Sequence, residues 1–283
     1  YLKYVGLSAI SYAGYAFLDR ASGDIDGDFL QRFPSLYLGY SALLNGLIAG
    51  LFKMEWGMSI IGKNKESGTI PKWSYLFFCS LPYVSTILMS KALTCGEGKM
   101  RISLKLNKSC SPTLLYTHLH IRFGRHKVKD DSTGKSSYGI VPVASEVSSG
   151  WWVGSCYGHE LNKDWGGVID LTVEFPESCR ERTKHYLSAP TWDGIPLPPG
   201  ELEHAAQFAV AARKDGDVLV HCAHGRGRST TVMCACLVKE GLFSSWQEAF
   251  EQIKRNRSVC KLNKRMRENL EAWQKQYVEL KKP

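Results

Sequence analysis

Between Asp217 and Glu240 the chain passes from a short apolar strand, DVLVH, through a turn holding two glycines, into an apolar helix closed by Gly241. A strand and a helix that are both apolar along their length must each be buried, so this stretch commits its surroundings to layers of helix and sheet. Its neighbours agree. Trp151–Val153 and Val168–Val173 read as strands, and Gly200–Lys214 as a helix with Leu202, Ala206, Phe208, Ala209 and Ala212 inward. Ser245 and Glu248 form a capping box that opens a further helix, with Ala249, Phe250 and Ile253 inward. A last amphipathic helix over 263–280 carries Met266, Leu270, Trp273 and Tyr277 on one stripe. Strands alternating with helices predict an α/β domain over residues 138–283, with a mainly parallel sheet covered on both faces. That length is enough for an independent core.

The turn inside the unit is His221-Cys222-Ala223-His224-Gly225-Arg226-Gly227-Arg228-Ser229. A strand-to-helix turn aims several backbone N–H groups into one concavity, and the helix N-terminus adds positive potential. Gly225 and Gly227 supply the backbone freedom that the loop needs. Ala223, His224 and Arg226 complete the ring of amides, and His224 and Arg226 add charge. Arg228 can fold back and grip two oxygens of a phosphate with its planar fork, as lysine could not. At the centre, Cys222 is exposed to the field that would bind an oxyanion, and this field favours thiolate. A thiolate beneath a bound phosphate is a nucleophile for in-line displacement. Ser229 can donate to the sulfur as it leaves, and His221 orients the loop from behind.

These residues resemble the signature HCxxGxxR[ST] of cysteine-dependent phosphatases of the protein-tyrosine and dual-specificity type. The resemblance covers roughly 148–280, with WWVGS at 151–155 similar to the family's early strand and VIDLTVEFPE at 168–177 to its central strand. It implies a dual-specificity-phosphatase-like fold and hydrolysis of phosphate monoesters through a cysteinyl-phosphate, with no metal and no organic cofactor. Family members carry a general acid on a loop upstream of the nucleophile. The segment YLSAPTWDGIPLPPGEL offers Asp193, 29 residues before Cys222. Glu201 and Glu203 read as first-turn acids of the following helix, and Asp170 and Glu174 as structural. Cys179 is read as a plain thiol, ahead of its alternative as a disulfide partner of Cys222. No stretch resembles the extra loop that deepens the pocket of strict tyrosine phosphatases. The expected substrate is therefore a phosphorylated protein, with a phospholipid or inositol phosphate as the alternative and a silent phosphate-binding scaffold as the second. Nucleic acid is not an expected partner, and the sequence does not specify an oligomer.

The N-terminal third reads differently. Phe33–Phe52 and Trp73–Ser90 carry no charge over 20 and 18 residues, and Tyr4–Leu18 is a shorter run. About 20 apolar residues span a bilayer core. Residues 1–90 are therefore expected to form an α-helical transmembrane region of two or three helices, making the protein multi-pass and integral to a membrane. Gly46 and Gly50 would let two of the helices approach closely. The chain opens at Tyr1, so further residues are expected before it. The net charge of +9 is local: it is +1 over 1–90, +7 over 91–135 and +1 over 136–283. The middle segment, a juxtamembrane linker over 91–137, is expected to attract anionic lipid. Within it Leu115–Phe123 alternates as a strand, and His118 and His120 read as surface rather than metal ligands. The nine cysteines include no CxxC pair, so the catalytic domain is expected to be reduced and cytosolic.

Overall fold

The structure is a computed structural model, and it describes residues 2–22, 29–54, 61–74, 126–129, 136–139 and 141–280. The chain divides into two compact units, one of residues 1–61 and 71–116, the other of 62–70 and 117–283.

In the first unit α1 (Leu2–Ser22) packs against α2 (Phe29–Lys53). Small residues set their spacing. A Cβ on Gly14 would stand 3.1 Å from Leu38, and one on Gly46 3.4 Å from the Ser8 hydroxyl, whereas Gly50 faces open space. Close approach therefore runs through Gly14 and Gly46 rather than through the Gly46/Gly50 pair. Polar groups join the same seam: the Ser8 hydroxyl donates to the Ala42 carbonyl at 2.7 Å, and Ser11 and Ser41 share a bond of 3.1 Å.

The expectation of an integral, multi-pass membrane protein is overturned here. Among the described residues no helix is long and apolar enough to cross a membrane. The physical reason is composition: Phe33–Phe52 is uncharged, but Tyr37, Gly39, Tyr40, Ser41, Asn45, Gly46 and Gly50 dilute its hydropathy. Lack of charge is not the same as apolarity. The juxtamembrane role of 91–135 rested on that reading and loses its basis with it. Trp73–Ser90 beyond Ser74, and the strand expected at Leu115–Phe123, lie outside the described residues.

The second unit includes an antiparallel hairpin of β1 (His126–Lys129) and β2 (Ser136–Gly139). Ser136 and Ser137 open its second strand. The main sheet contains β3 (Ala144–Ser148), β4 (Trp151–Ser155), β5 (Trp165–Asp170), β6 (Thr183–Ser188) and β7 (Val218–Cys222), in the order β3-β4-β7-β5-β6. Only β3–β4 is antiparallel, so the sheet is mixed, with β7 central between β4 and β5. Strand β7 is buried at every position, which is why it reads as an unbroken apolar run. Strands β3 and β6 escaped the sequence reading because each lies at an edge, where the partly exposed ASEVS and TKHYLS lack a clean period of two.

Four helices follow: α3 (Pro199–Ala212), α4 (Arg228–Lys239), α5 (Trp246–Asn256) and α6 (Lys264–Gln274), the last continuing into a π turn at Lys275–Glu279. Their apolar residues join one core with Trp151, Val153, Ile169, Val218 and Val220. The other face carries a smaller cluster around Trp165, Val168 and Leu219 that includes no helix residue. Among the described residues these helices therefore cover one face of the sheet, where the alternation implied both. Glu203 ties three helices together: it accepts from Trp273 at 3.0 Å and Gln207 at 2.7 Å, and pairs with Lys239 at 2.6 Å. It is a buried tie rather than the first-turn acid read from sequence, and the acid in the first turn is Glu201.

Candidate active site

Strand β7 ends at Cys222 and α4 begins at Arg228, and the five residues between them close the loop. Gly225 sits at φ +63°, and a Cβ there would lie 2.5 Å from the carbonyl of Gly154 on the neighbouring strand. Glycine is required on both counts, conformation and close approach. The first turn of α4 is stitched to the loop: Thr230 Oγ1 donates to the Arg226 carbonyl at 2.7 Å and Thr231 Oγ1 to that of Gly227 at 3.1 Å.

Cys222 is buried, with its sulfur 3.4 Å from the Ser229 hydroxyl. Burial alone would raise its pKa. The Arg228 charge, the Ser229 hydroxyl and the amides of Ser229 and Arg226 outweigh this and lower it. Other thiols behave oppositely. Cys234 and Cys236 inside α4 are pushed up by burial, and Cys260 to about 11. Cys179 sits in the smaller core cluster, its pKa likewise pushed up by burial, and belongs to a different cluster from Cys222.

Arg228 is itself buried and positioned from three sides. Nη1 donates to the carbonyls of Leu171 at 3.1 Å and Thr191 at 2.7 Å, and Nη2 meets Glu174 at 2.9 Å. Its Nε is buried without a protein acceptor. Asp193, largely exposed, brings Oδ1 to 3.7 Å from the same guanidinium. The loop that carries Asp193 is closed by the Thr191 hydroxyl on the Ile195 carbonyl at 3.0 Å and by Asn263 on the Gly194 carbonyl at 2.8 Å. The structure thus brings together Cys222, Ser229, Arg228 and Asp193, with Ala223, His224, Gly225, Arg226 and Gly227 forming the loop between.

Two supports were not visible in the sequence. Arg257, after α5, is buried and braces the outer wall of the loop. It donates to the carbonyls of Gly225 at 2.9 Å, His224 at 3.4 Å and Pro142 at 2.8 Å. Nothing in the local pattern KRNRS marks one arginine as buried. The other support lies behind His221. Its Nε2 meets Glu177 at 2.6 Å and lies 3.8 Å from Asp170. Burial would lower the His221 pKa, but the charges of Glu177 and Asp170 overcome it and lift it to about 9. Asp170 in turn holds the ammonium of Lys63, and both side chains are buried.

Asp170, Glu177 and His221 bring one ligand atom each within 4.8 Å of one another, a spacing that suits a metal. The donor set does not. The Lys63 ammonium already neutralises Asp170, and an imidazole protonated up to about pH 9 offers no lone pair. The cluster is a buried ion-pair network in which His221 Nδ1 alone lacks an acceptor.

Residues 167–276 match the family model described as the dual specificity phosphatase catalytic domain. Among solved structures, a mouse putative dual specificity phosphatase complexed with zinc tungstate is 22% identical, with a TM-score of 0.45, over 52% of this chain and 95% of that one. Human DUSP28 is 21% identical with a TM-score of 0.44, over 48% of this chain and 99% of that one. PTPMT1 in complex with PI(5)P is 21% identical with a TM-score of 0.42, over 49% of this chain and 99% of that one. No curated protein matches. The matched segment contains the whole loop from His221 to Ser229, so residues 167–276 are similar to a dual specificity phosphatase catalytic domain.

Proposed function

We propose that the protein hydrolyses phosphate monoesters in two steps, with Cys222 as nucleophile. The observation that carries this reading is a buried thiol of lowered pKa, ringed by loop amides and faced by the held guanidinium of Arg228. In the first step the Cys222 thiolate attacks phosphorus, a P–S bond forms and the P–O bond to the leaving group breaks. Asp193 gives its proton to the departing oxygen. In the second step water attacks phosphorus, Asp193 takes its proton, and sulfur leaves with help from the Ser229 hydroxyl. Arg228 Nε and the loop amides hold the equatorial oxygens as charge spreads over them. The dual-specificity character of the domain makes a phosphorylated protein the first substrate class.

A second reading, a polyanionic substrate such as an inositol phosphate or phospholipid headgroup, is supported by one feature. Beside the loop lies a cavity of about 440 Å³ lined by Arg226, Lys254, Lys261 and Arg267, and its lining includes no acid. Arg226 belongs both to this cavity and to the catalytic loop, and the Lys261 amide donates to its carbonyl at 3.0 Å. A substrate with a second phosphate would find countercharge there.

The test is phosphate release from p-nitrophenyl phosphate, phosphopeptides and micellar phosphoinositides. The unaltered chain is expected to turn over and Cys222→Ser to be silent while still binding vanadate. Equal turnover by Cys222→Ser would remove Cys222 as the nucleophile, and no turnover by the unaltered chain would leave only a phosphate-binding scaffold. A large preference for phosphoinositide would move the substrate to the second reading.

A further inference from the structure

Residues 62–70 belong to the catalytic unit although they lie far outside the matched family segment. They form a self-closed loop. The Asn64 side-chain oxygen accepts from the amides of Glu66 at 2.8 Å and Ser67 at 2.9 Å, and the Asn64 amide donates to the Thr69 carbonyl at 2.8 Å. This loop is seated on the segment before β6. The Glu177 amide donates to the Gly68 carbonyl at 3.0 Å, and Arg180 Nε to the Glu66 carbonyl at 3.0 Å. Gly68 sits at φ +68°, where a Cβ would meet the Tyr186 hydroxyl at 2.7 Å. From this strap Lys63 reaches inward. It pairs with Asp170, 107 residues away in sequence, and donates to the Thr172 carbonyl at 2.7 Å and its hydroxyl at 3.0 Å.

The buried cluster then balances: Lys63 and His221 are positive, Asp170 and Glu177 negative. His221 immediately precedes Cys222 on β7, and Asp170 is its register partner on β5. We infer that Lys63 is a positioning residue of the active site, inserted by the 62–70 strap, which neutralises Asp170 behind the catalytic loop and so keeps Cys222 ionised. The inference rests on Cys222 as nucleophile. It deepens that reading by assigning a part of the site to a segment that the family match does not contain.

The charges that face Cys222 are Arg228 from α4, Arg226 from the loop and Arg257 from beyond α5, while the buried cluster is joined to it through the neighbouring residue His221. Glu174 and Asp193 act on it through Arg228. The titratable thiols Cys156, after β4, and Cys260 also lie in its field. Tyr186 donates to Asp170 at 3.0 Å. Of these only Lys63 lies in the strap. Removing its charge leaves the cluster one unit negative, and a buried negative charge disfavours a neighbouring thiolate.

The experiment reads the pH dependence of iodoacetate alkylation at Cys222 in the full chain, by mass spectrometry of its peptide, alongside the acid limb of kcat/KM. In Lys63→Met both midpoints should move to higher pH, on the order of one unit, a roughly tenfold loss below the midpoint. In Asp170→Asn they should move to lower pH, and in the double variant K63M/D170N they should return towards the unaltered value. If Lys63→Met does not fold, Asp170→Asn and the double variant still give opposite-signed and restored midpoints. Unmoved midpoints, or a double variant that fails to restore them, overturn the role of Lys63. The alkylation midpoint needs no turnover. An unaltered chain that is inactive, or whose Cys222 titrates as an ordinary thiol, therefore condemns the proposed function instead.

Discussion

At the scale of single residues, the site depends on side chains whose geometry a near-isostere cannot reproduce. Arg228 directs one nitrogen at two carbonyls and the other at Glu174, leaving Nε for substrate. Lysine has three donors on one atom and cannot divide them in this way. Arg228→Lys should cost about a hundredfold or more in kcat, the scale of a lost oxyanion donor, measured as p-nitrophenyl phosphate turnover at saturating substrate. Asp193 is largely exposed and 3.7 Å from the guanidinium, which places it beside the proposed phosphate site. Asp193→Asn should lower kcat by about a hundredfold or more and abolish the fall in rate on the alkaline side. A profile that keeps its alkaline limb would remove Asp193 from the proton-transfer step.

At the scale of elements, the catalytic loop is shaped by contact with neighbouring strands and not by its own sequence alone. Gly225 illustrates this, since its positive φ and its approach to Gly154 coincide. Gly225→Ala should destabilise the fold by at least about 1–2 kcal/mol through the left-handed conformation alone, with the clash adding to it. Thermal denaturation should show the loss, and vanadate affinity should fall with it because the amides no longer converge. The helices follow their caps more simply. Ser245 Oγ accepts from the Glu248 amide at 3.3 Å, and Glu248 reaches back to the Ser244 amide at 3.2 Å, one residue earlier than a regular capping box.

At the scale of the whole molecule, the buried ion network links stability to pH. His221 has its pKa raised to about 9 in the folded state, against an ordinary value near 6.5 when unfolded. Its contribution is complete below about pH 6.5 and is lost as pH rises through about 9. Urea melts at pH 6.5, 8 and 9.5 should show stability falling across that window, and His221→Gln should flatten the fall. The sequence by itself determined the strand–turn–helix unit and marked Cys222, Arg228, Ser229 and the loop of Asp193 as the candidates, because these are local: spacing and chemistry within nine residues, or within one loop. It also suggested helices in 1–53, yet mistook uncharged for membrane-spanning, since hydropathy depends on Tyr, Ser, Asn and Gly as much as on charge. Only the tertiary structure decided that Arg257 braces the loop, that Glu203 ties three helices, and that Lys63 belongs with Asp170 and His221. Each is a charged residue in a stretch that reads as surface. A charge is buried when a partner distant in the chain is folded against it, and that partner leaves no mark on the residue's own neighbours in sequence.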